Sequence, residues 1–219
     1  SWARDVYKRQ QLMNPRELEL GFVAKLGKRE FCISDFLVYL GVDLDPRDYG
    51  ITCHEVILRS TYDADAEYKA ILQGNLTSYL MLTCPTVCAD PDLAPKGQHC
   101  LVITALAPYH LRNVDWKRDK KRVAEEIIKK VEQQIVPDLS KHIVVMDSAS
   151  PLTIERYTLN SEGAMLGWAN LPENILQNSL QLKTSVENLY LAGQWTIPGG
   201  GTLAAMLSGF LAAETIALS

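Results

Sequence analysis

Near its C-terminal end the chain reads Asn188-Leu189-Tyr190-Leu191-Ala192-Gly193-Gln194-Trp195-Thr196-Ile197-Pro198-Gly199-Gly200-Gly201-Thr202-Leu203. Residues 189–192 are wholly apolar, which is typical of a short strand buried on both faces of a parallel sheet. A glycine-rich turn then leads into an apolar helix. Because three consecutive glycines place no side chain between backbone and ligand, several N–H groups can converge on an anion or a carbonyl there. The stretch therefore predicts one corner of a cofactor site.

The glycines alone leave a second interpretation open, a tight connection between strand and helix with no ligand. Thr202 and Leu203 stand where a P-loop would have Lys followed by Ser or Thr, which argues against a nucleotide triphosphate site. The helix at residues 203–218 is shorter than a membrane-spanning segment and contains Glu214. We therefore predict that this helix is buried, while a peripheral membrane contact elsewhere stays open.

The composition is that of a globular protein, with 219 residues, 47% of them hydrophobic, and a formal net charge of -4. This charge gives no general attraction to nucleic acid, so no nucleic-acid partner is predicted. The basic run at residues 117–122 is better explained as a solvated helix face than as a membrane surface. Five scattered cysteines without a secretory signal predict reduced thiols in a cytoplasmic or organellar compartment. The cysteine and histidine spacings favour no metal site.

The remaining sequence predicts short strands joined by loops, with few long helices. Strands are expected at residues 36–42, 51–59, 76–83, 101–107 and 142–146, and helices at residues 64–73 and 116–135, the latter capped by Asp115. Such an order indicates an antiparallel sheet rather than a doubly wound one.

A second informative segment lies at residues 147–168. Pro151 opens a helical turn, and Asn160-Ser161-Glu162-Gly163 forms a loop. We expect the chain to approach another group closely at Gly163 and Gly167, since glycine leaves the backbone uncovered.

The first stretch, followed by Met206-Leu207-Ser208-Gly209 and an alanine-rich helix, resembles the C-terminal FAD motif of the phytoene desaturase family. That family also contains carotenoid isomerases and retinol saturases. The second segment is similar to the family pattern Thr-Pro-x-x-x-x-Arg-Tyr-x-x-Asn-x-x-Gly-x-x-x-Gly. The resemblance is close over residues 147–219 and diffuse before them. It implies non-covalent FAD, a long apolar polyene or related lipid as substrate, and hydride transfer between a substrate carbon and flavin N5.

By this resemblance, ten residues would border the cofactor: Gly193, Gln194, Trp195, Thr196, Pro198, Gly199, Gly200, Gly201, Thr202 and Leu203. Gln194 stands where many flavoprotein relatives have an acidic residue that binds the ribityl hydroxyls. Ile197 stands where some carotenoid desaturases have His or Gln. Gly163 and Trp168 are interpreted as substrate-side positions, and no catalytic acid or base can be chosen.

The sequence contains no Gly-x-Gly-x-x-Gly string, which an FAD-binding Rossmann unit would carry. We therefore expect a C-terminal fragment of mixed α+β and α/β class whose N-terminal half is missing. Residues 1–10 would be a non-native or disordered leader. Residues 11–180 would be part of a substrate-binding domain with an antiparallel sheet, and residues 181–219 the last strand and helix of a Rossmann-type FAD domain. Alone, the fragment should bind FAD weakly or not at all, be inactive and expose apolar faces.

Two alternatives to a polyene desaturase, saturase or isomerase stay open. An amine oxidase would share the fold, but it would want an aromatic pair facing the flavin, which Trp168 alone does not establish. A non-catalytic lipid-binding remnant would account for the missing dinucleotide motif.

Overall fold

A computed structural model gives the structure of the protein and describes residues 29–169, 171, 180–184 and 186–218. The chain divides into two compact units. The first, Ser34–Thr153, is called the sheet unit; the described residues before Ser34 and after Thr153 form the glycine unit. The predicted boundary at residue 180 stays a prediction, and the predicted leader at residues 1–10 lies outside the described residues.

The sheet unit is built on a five-stranded antiparallel sheet in the spatial order β2-β3-β4-β1-β5. Its strands are β1 (Ser34–Val42), β2 (Glu55–Arg59), β3 (Tyr79–Thr83), β4 (His99–Ala107) and β5 (Ile143–Ala149). Its helices are α1 (Ala64–Leu72), α2 (Pro85–Cys88) and α3 (Trp116–Gln134). The predicted antiparallel sheet is confirmed, and each predicted strand and helix of this unit is found with its ends shifted by a few residues.

The core of the sheet unit lies between one face of the sheet and α3. Asp115 begins the helix as predicted, because its carboxylate accepts a hydrogen bond from the backbone N–H of Lys117 at 2.9 Å. Val123, Ile127 and Val131 form the buried stripe of the helix. They pack in one cluster with alternate residues of the neighbouring strands β1 and β4, namely Phe36, Val38, Leu40, Val42, Leu101, Ile103, Ala105 and Ala107. Every second residue of these strands thus faces α3 and packs against its buried apolar stripe.

The second face of the sheet is also largely apolar, although it is only partly buried. Strand register places Tyr39 opposite Val102 and Asp147 on this face, and Ile57 opposite Met81. Tyr39 is 42% exposed and Ile57 is 49% exposed. A solvated sheet face usually alternates to polar residues, so this apolar face is suited to contact something other than water.

Asp35 is the buried acid of that second face. It lies opposite Leu106, is only 9% exposed, and its Oδ1 has no hydrogen-bond partner among the described residues. Burial removes the carboxylate from water and raises its pKa from 3.8 to about 7. Below about pH 7, Asp35 therefore favours its neutral form in the folded chain.

The glycine unit contains the end of α4 (Pro151–Thr158), a 3-10 turn at Ser161–Gly163 and α5 (Thr202–Ala217). The predicted strand at residues 189–192 is wrong. Tyr190 forms an isolated bridge with Lys183 and is not part of a strand, and the Leu191 N–H donates to the carbonyl of Leu182 at 2.7 Å. An apolar run becomes a sheet strand only beside other strands, and none pairs with it in the part of the chain that the structure describes. The last strand of a Rossmann-type domain is therefore not observed.

Helix α5 coincides with the predicted helix, but the prediction that it is buried is wrong. Only Ser208 and Ala212 are buried in it, whereas Leu203, Met206 and Phe210 are well exposed. These three, with Leu207, follow the spacing of a helix face that packs on another element. The exposed apolar surface expected of the chain is found here. No described helix combines the length and apolar character needed to cross a membrane.

We predict that Asp35 makes stability fall as the pH rises. Below pH 4 the carboxyl is neutral in both states, and between pH 4 and 7 the unfolded chain loses its proton while the folded chain keeps it. The penalty then levels off above pH 7 at about 4 kcal/mol, from about three pKa units at 1.36 kcal/mol each. Urea unfolding of the wild type and of Asp35→Asn at a series of pH values gives the free energy of unfolding of each protein. The difference between the two should show this pH dependence, because the contributions of all other titrating groups are the same in both proteins.

The matched control for this experiment is Asp147→Asn. Asp147 lies on the same face, but its side chain is 85% exposed. Its substitution should leave the pH dependence of the wild type in place. A difference between wild type and Asp35→Asn that does not change with pH would contradict the assignment of a neutral, buried Asp35.

Candidate cofactor corner

Two glycines bring the two segments selected from the sequence into backbone contact within the glycine unit. A Cβ atom on Gly167 would lie 2.8 Å from the carbonyl oxygen of Gln194, closer than a real Cβ contact. A Cβ atom on Gly200 would overlap the carbonyl oxygen of Leu166. Any side chain at either glycine would therefore push the segments apart. The glycine-rich stretch and the segment at residues 163–168 form one site.

An aromatic cluster holds the same two segments together. The indole Nε1 of Trp168 donates a hydrogen bond to the carbonyl oxygen of Trp195 at 3.0 Å. The two indole rings meet edge to face, with centroids 4.9 Å apart, and Phe31 stacks on Trp168 at 5.6 Å. Such aromatic pairs add stability beyond the area that they bury. Trp168 is thus packed and hydrogen-bonded as part of the wall of the site.

Trp195 carries a buried donor without an acceptor. Its side chain is 2% exposed, and its Nε1 has no hydrogen-bond partner among the described residues. An unpaired buried N–H costs about 1 to 3 kcal/mol. Buried polar groups of this kind are usually satisfied in the functional state of a protein. The Trp195 indole N–H is therefore a buried donor whose acceptor is absent from the described residues.

The glycine-rich turn supplies an open backbone surface. Gly193, Gly199 and Gly201 have φ values of 106°, 120° and 100°, which residues with side chains rarely adopt. Around each of them the space that a Cβ would take is open. Gly201 is also the N-cap of α5, and no side chain caps the first turn of that helix. Its free N–H groups and the positive end of its dipole suit an anion or a carbonyl oxygen.

The remaining predicted site residues differ in exposure. Thr196 is buried, Gln194 is half-buried, and Pro198, Thr202 and Leu203 are exposed. Gly163 is buried in the turn that precedes the contact, where its N–H donates to the carbonyl of Asn160 at 3.0 Å. The structure brings Trp168 and Gly163 into the same unit as the ten predicted cofactor residues. Their roles toward cofactor or substrate stay predictions.

Sequence reasoning missed three members of this site. Phe31 is distant in sequence and carried no motif, and Leu166 acts through its carbonyl oxygen, for which no side-chain signal exists. The third is Ser208, which is completely buried. A hydroxyl in the middle of a mostly apolar helix was the available signal, since such a group needs a partner when buried.

No cluster of metal ligands or disulfide accompanies this corner. Within the described ranges, no group of three or more His, Cys, Asp or Glu residues is arranged to hold a metal ion. The five cysteines, all of which lie in the described ranges, form no disulfide. The polar groups that the corner presents are backbone N–H groups, hydroxyls and indoles.

No protein-family model matches the chain. Over 82% of its length it is 28% identical to the chloroplastic prolycopene isomerase of Daucus carota, of which it covers 28%. It is 30% identical over 88% of its length to the 4,4'-diapolycopene oxygenase of Methylomonas sp, covering 39%. It is 25% identical over 98% of its length to the neurosporene-forming phytoene desaturase of Rhodobacter capsulatus, covering 41%. The chain thus spans well under half the length of these relatives.

Among solved structures, an oxidoreductase from Methanosarcina mazei is similar, with a TM-score of 0.58 and 14% identity. The match covers 97% of this chain and 42% of the other, and at this identity it shows a shared α+β fold. Relatives that isomerise, oxygenate or desaturate carotenoids match most of the chain, as the resemblance of its motifs implied. The predicted resemblance to the phytoene desaturase and carotenoid isomerase family is thus confirmed.

Proposed function

We propose that this chain forms the flavin-ring side of an FAD site in an enzyme that desaturates, saturates or isomerises a long apolar polyene, a carotenoid or a retinoid. The observation that carries the proposal is the backbone contact at Gly167 and Gly200, which assembles both family motifs into one wall. A tight connection without a ligand would need only one of these segments. The names of the relatives support the polyene.

The residues of the corner fit a flavin by their chemistry. A flavin ring carries carbonyl oxygens and its ribityl chain carries hydroxyls, and both accept hydrogen bonds. The unpaired Trp195 Nε1, the uncapped N–H groups of α5 and the Gln194 amide are donors of the required kind. FAD, when bound, supplies hydride transfer to or from a substrate carbon. The chain's own residues bind and orient the ring and exclude water.

The second face of the sheet is our candidate wall for the polyene. Its partly exposed members Tyr39, Ile57 and Met81 are apolar or aromatic, which suits a hydrocarbon chain without polar groups. Each methylene group removed from water there would gain about 0.8 kcal/mol. Because such a substrate dissolves in lipid, we propose a cytoplasmic or organellar protein with a peripheral membrane contact.

We also propose that polypeptide outside these 219 residues supplies the adenine and pyrophosphate sites. The support is the length of the relatives and the lack of a Gly-x-Gly-x-x-Gly string in this sequence. The exposed apolar stripe of α5 would then be covered by that additional part. This chain by itself would be inactive.

The geometry of the described residues does not favour the amine-oxidase alternative. That alternative wants two aromatic rings facing the flavin, but Trp168 is buried and donates its indole N–H to Trp195. If the complete protein shows no flavin absorbance, that result would indicate the other alternative, a lipid-binding remnant without catalytic activity.

We expect the protein made from its complete coding sequence to purify with flavin absorbance, and Gly200→Ala to lose it. The added methyl group would displace Leu166 and open the wall, so FAD affinity should fall at least about tenfold, or about 1.4 kcal/mol. Retained FAD can be measured by absorbance and by fluorescence after denaturation.

The control is Gly209→Ala in the same motif. Nothing lies within 4 Å of a Cβ at Gly209, so this helical substitution should keep the flavin and raise stability by up to about 1 kcal/mol. A complete protein without flavin, or equal FAD content in both variants, would contradict the proposal.

The polyene wall is tested separately with Tyr39→Lys. A charge at this half-exposed position should weaken binding of lycopene from detergent micelles about tenfold or more, because the charge would have to leave water. The shift of the carotenoid absorption bands reports binding. Val144→Lys on β5, at a position 53% exposed but outside the second-face register, is the control. Equal lycopene affinity in the two variants would assign the substrate to another surface.

A further inference from the structure

Ser208 does not make the contact that a serine inside a helix usually makes. Such serines commonly donate back to the carbonyl four residues earlier in their own helix. Ser208 is instead directed at the glycine-rich turn, where its Oγ accepts the N–H of Gly193 at 3.0 Å. The same Oγ lies 2.6 Å from the Oγ1 of Thr196. Both side chains are almost completely buried, so water does not replace these contacts.

Counting hydrogen atoms gives an assignment of each bond's direction. Thr196 Oγ1 lies within reach of two carbonyl oxygens, that of Gly193 at 2.9 Å and that of Ile197 at 3.4 Å, and we assign its hydrogen to the shorter contact. Because a threonine hydroxyl has a single hydrogen, we assign the hydrogen between the two hydroxyls to Ser208. The bonds therefore run from Gly193 N–H to Ser208, from Ser208 to Thr196, and from Thr196 back to the Gly193 carbonyl. They close a ring in which every hydroxyl both donates and accepts, the arrangement in which hydrogen bonds strengthen one another.

The ring fixes both polar groups of Gly193, the residue at which the turn begins. Gly193 has a φ of 106°, and a glycine at such an angle is held by its contacts rather than by a side chain. Gln194 and Trp195 lie between the ring members Gly193 and Thr196. Their orientation is therefore set from α5 through Ser208.

We propose that Ser208 and Thr196 are positioning residues that hold the donors of Gln194 and Trp195 toward the cofactor. The part of this inference that concerns the cofactor rests on the function proposed above. The part that concerns the ring stands on the three hydrogen bonds among Gly193, Thr196 and Ser208 alone. The two parts are tested by different measurements.

The ring is tested by hydrogen exchange of the Gly193 amide in the 219-residue chain, followed by NMR. Ser208→Ala and Thr196→Val each break the ring, so exchange should become at least about tenfold faster than in the wild type. Thr196→Ser keeps the hydroxyl and should restore slow exchange. The double variant should exchange no faster than either single variant, because either substitution alone already breaks the ring.

The matched control is Thr215→Val in the same helix. Thr215 donates to the carbonyl of Leu211 at 2.8 Å, outside the ring, so its loss should leave Gly193 unchanged. Amides of β1 and β4 in each sample serve as the reference for folding. Exchange of Gly193 that is the same in Ser208→Ala and in wild type, with the sheet amides protected, would overturn the ring.

The positioning role is tested by FAD content and flavin absorbance of the complete protein. Ser208→Ala and Thr196→Val should retain about tenfold less FAD, while Thr196→Ser and Thr215→Val retain the wild-type amount. If Ser208→Ala and Thr196→Val exchange faster but retain the wild-type amount of FAD, the ring of hydrogen bonds is supported and the positioning role is overturned. A wild type without FAD would overturn the proposed function and this role together, while the exchange experiment still decides the ring.

Discussion

Two carbonyl oxygens determine how the glycine unit can assemble, those of Leu166 and Gln194. Each points at a residue on the other segment where a Cβ would collide with it, and each of those residues is glycine. The contact is one of backbone with backbone, so no side chain can adjust to relieve a substitution. The aromatic cluster, the turn and the first turn of α5 all depend on this approach. The glycines are therefore explained first by packing, and their use by a ligand follows from the surface that the packing creates.

The polar atoms left over by this packing are informative. Most groups in the corner are satisfied internally, as the Trp168 indole and the Ser208 hydroxyl illustrate. The Trp195 indole N–H is the exception among the cofactor residues, and Asp35 is the exception on the sheet. Natural sequences tend to break local rules of satisfaction at functional positions. An indole donor in a glycine corner suits a carbonyl acceptor, whereas a neutral carboxyl on an apolar face can remain near hydrocarbon without the cost of a buried charge.

The sequence predicted the sheet unit well because its signals are local. Each signal lies in the segment that it describes. Examples are the alternation of apolar residues in β1, the four-residue steps of apolar residues in α3, and Asp115 at the start of α3. The prediction of a strand at residues 189–192 failed for the opposite reason. A strand needs neighbouring strands to pair with, and an apolar run does not specify them. The prediction that α5 is buried failed for a similar reason. An apolar composition indicates that a helix needs a packing partner, but the partner has to come from elsewhere in the fold.

Residues of the corner could be selected from the sequence where their residue type marks them, as glycine does, and not where any residue type would serve. Gly193 to Gly201 and the Gly163 and Trp168 segment were identified by motif, and the structure places both in one unit. Leu166 acts only through a carbonyl that every residue has, so no pattern of residue types could select it. Ser208 lies between these cases, since its hydroxyl is visible in the sequence but its partners are a backbone amide and a threonine twelve residues earlier. A buried hydroxyl in an exposed apolar helix can therefore mark the attachment of that helix to a loop. This relation explains why α5 keeps its place at the turn while most of its apolar surface is uncovered.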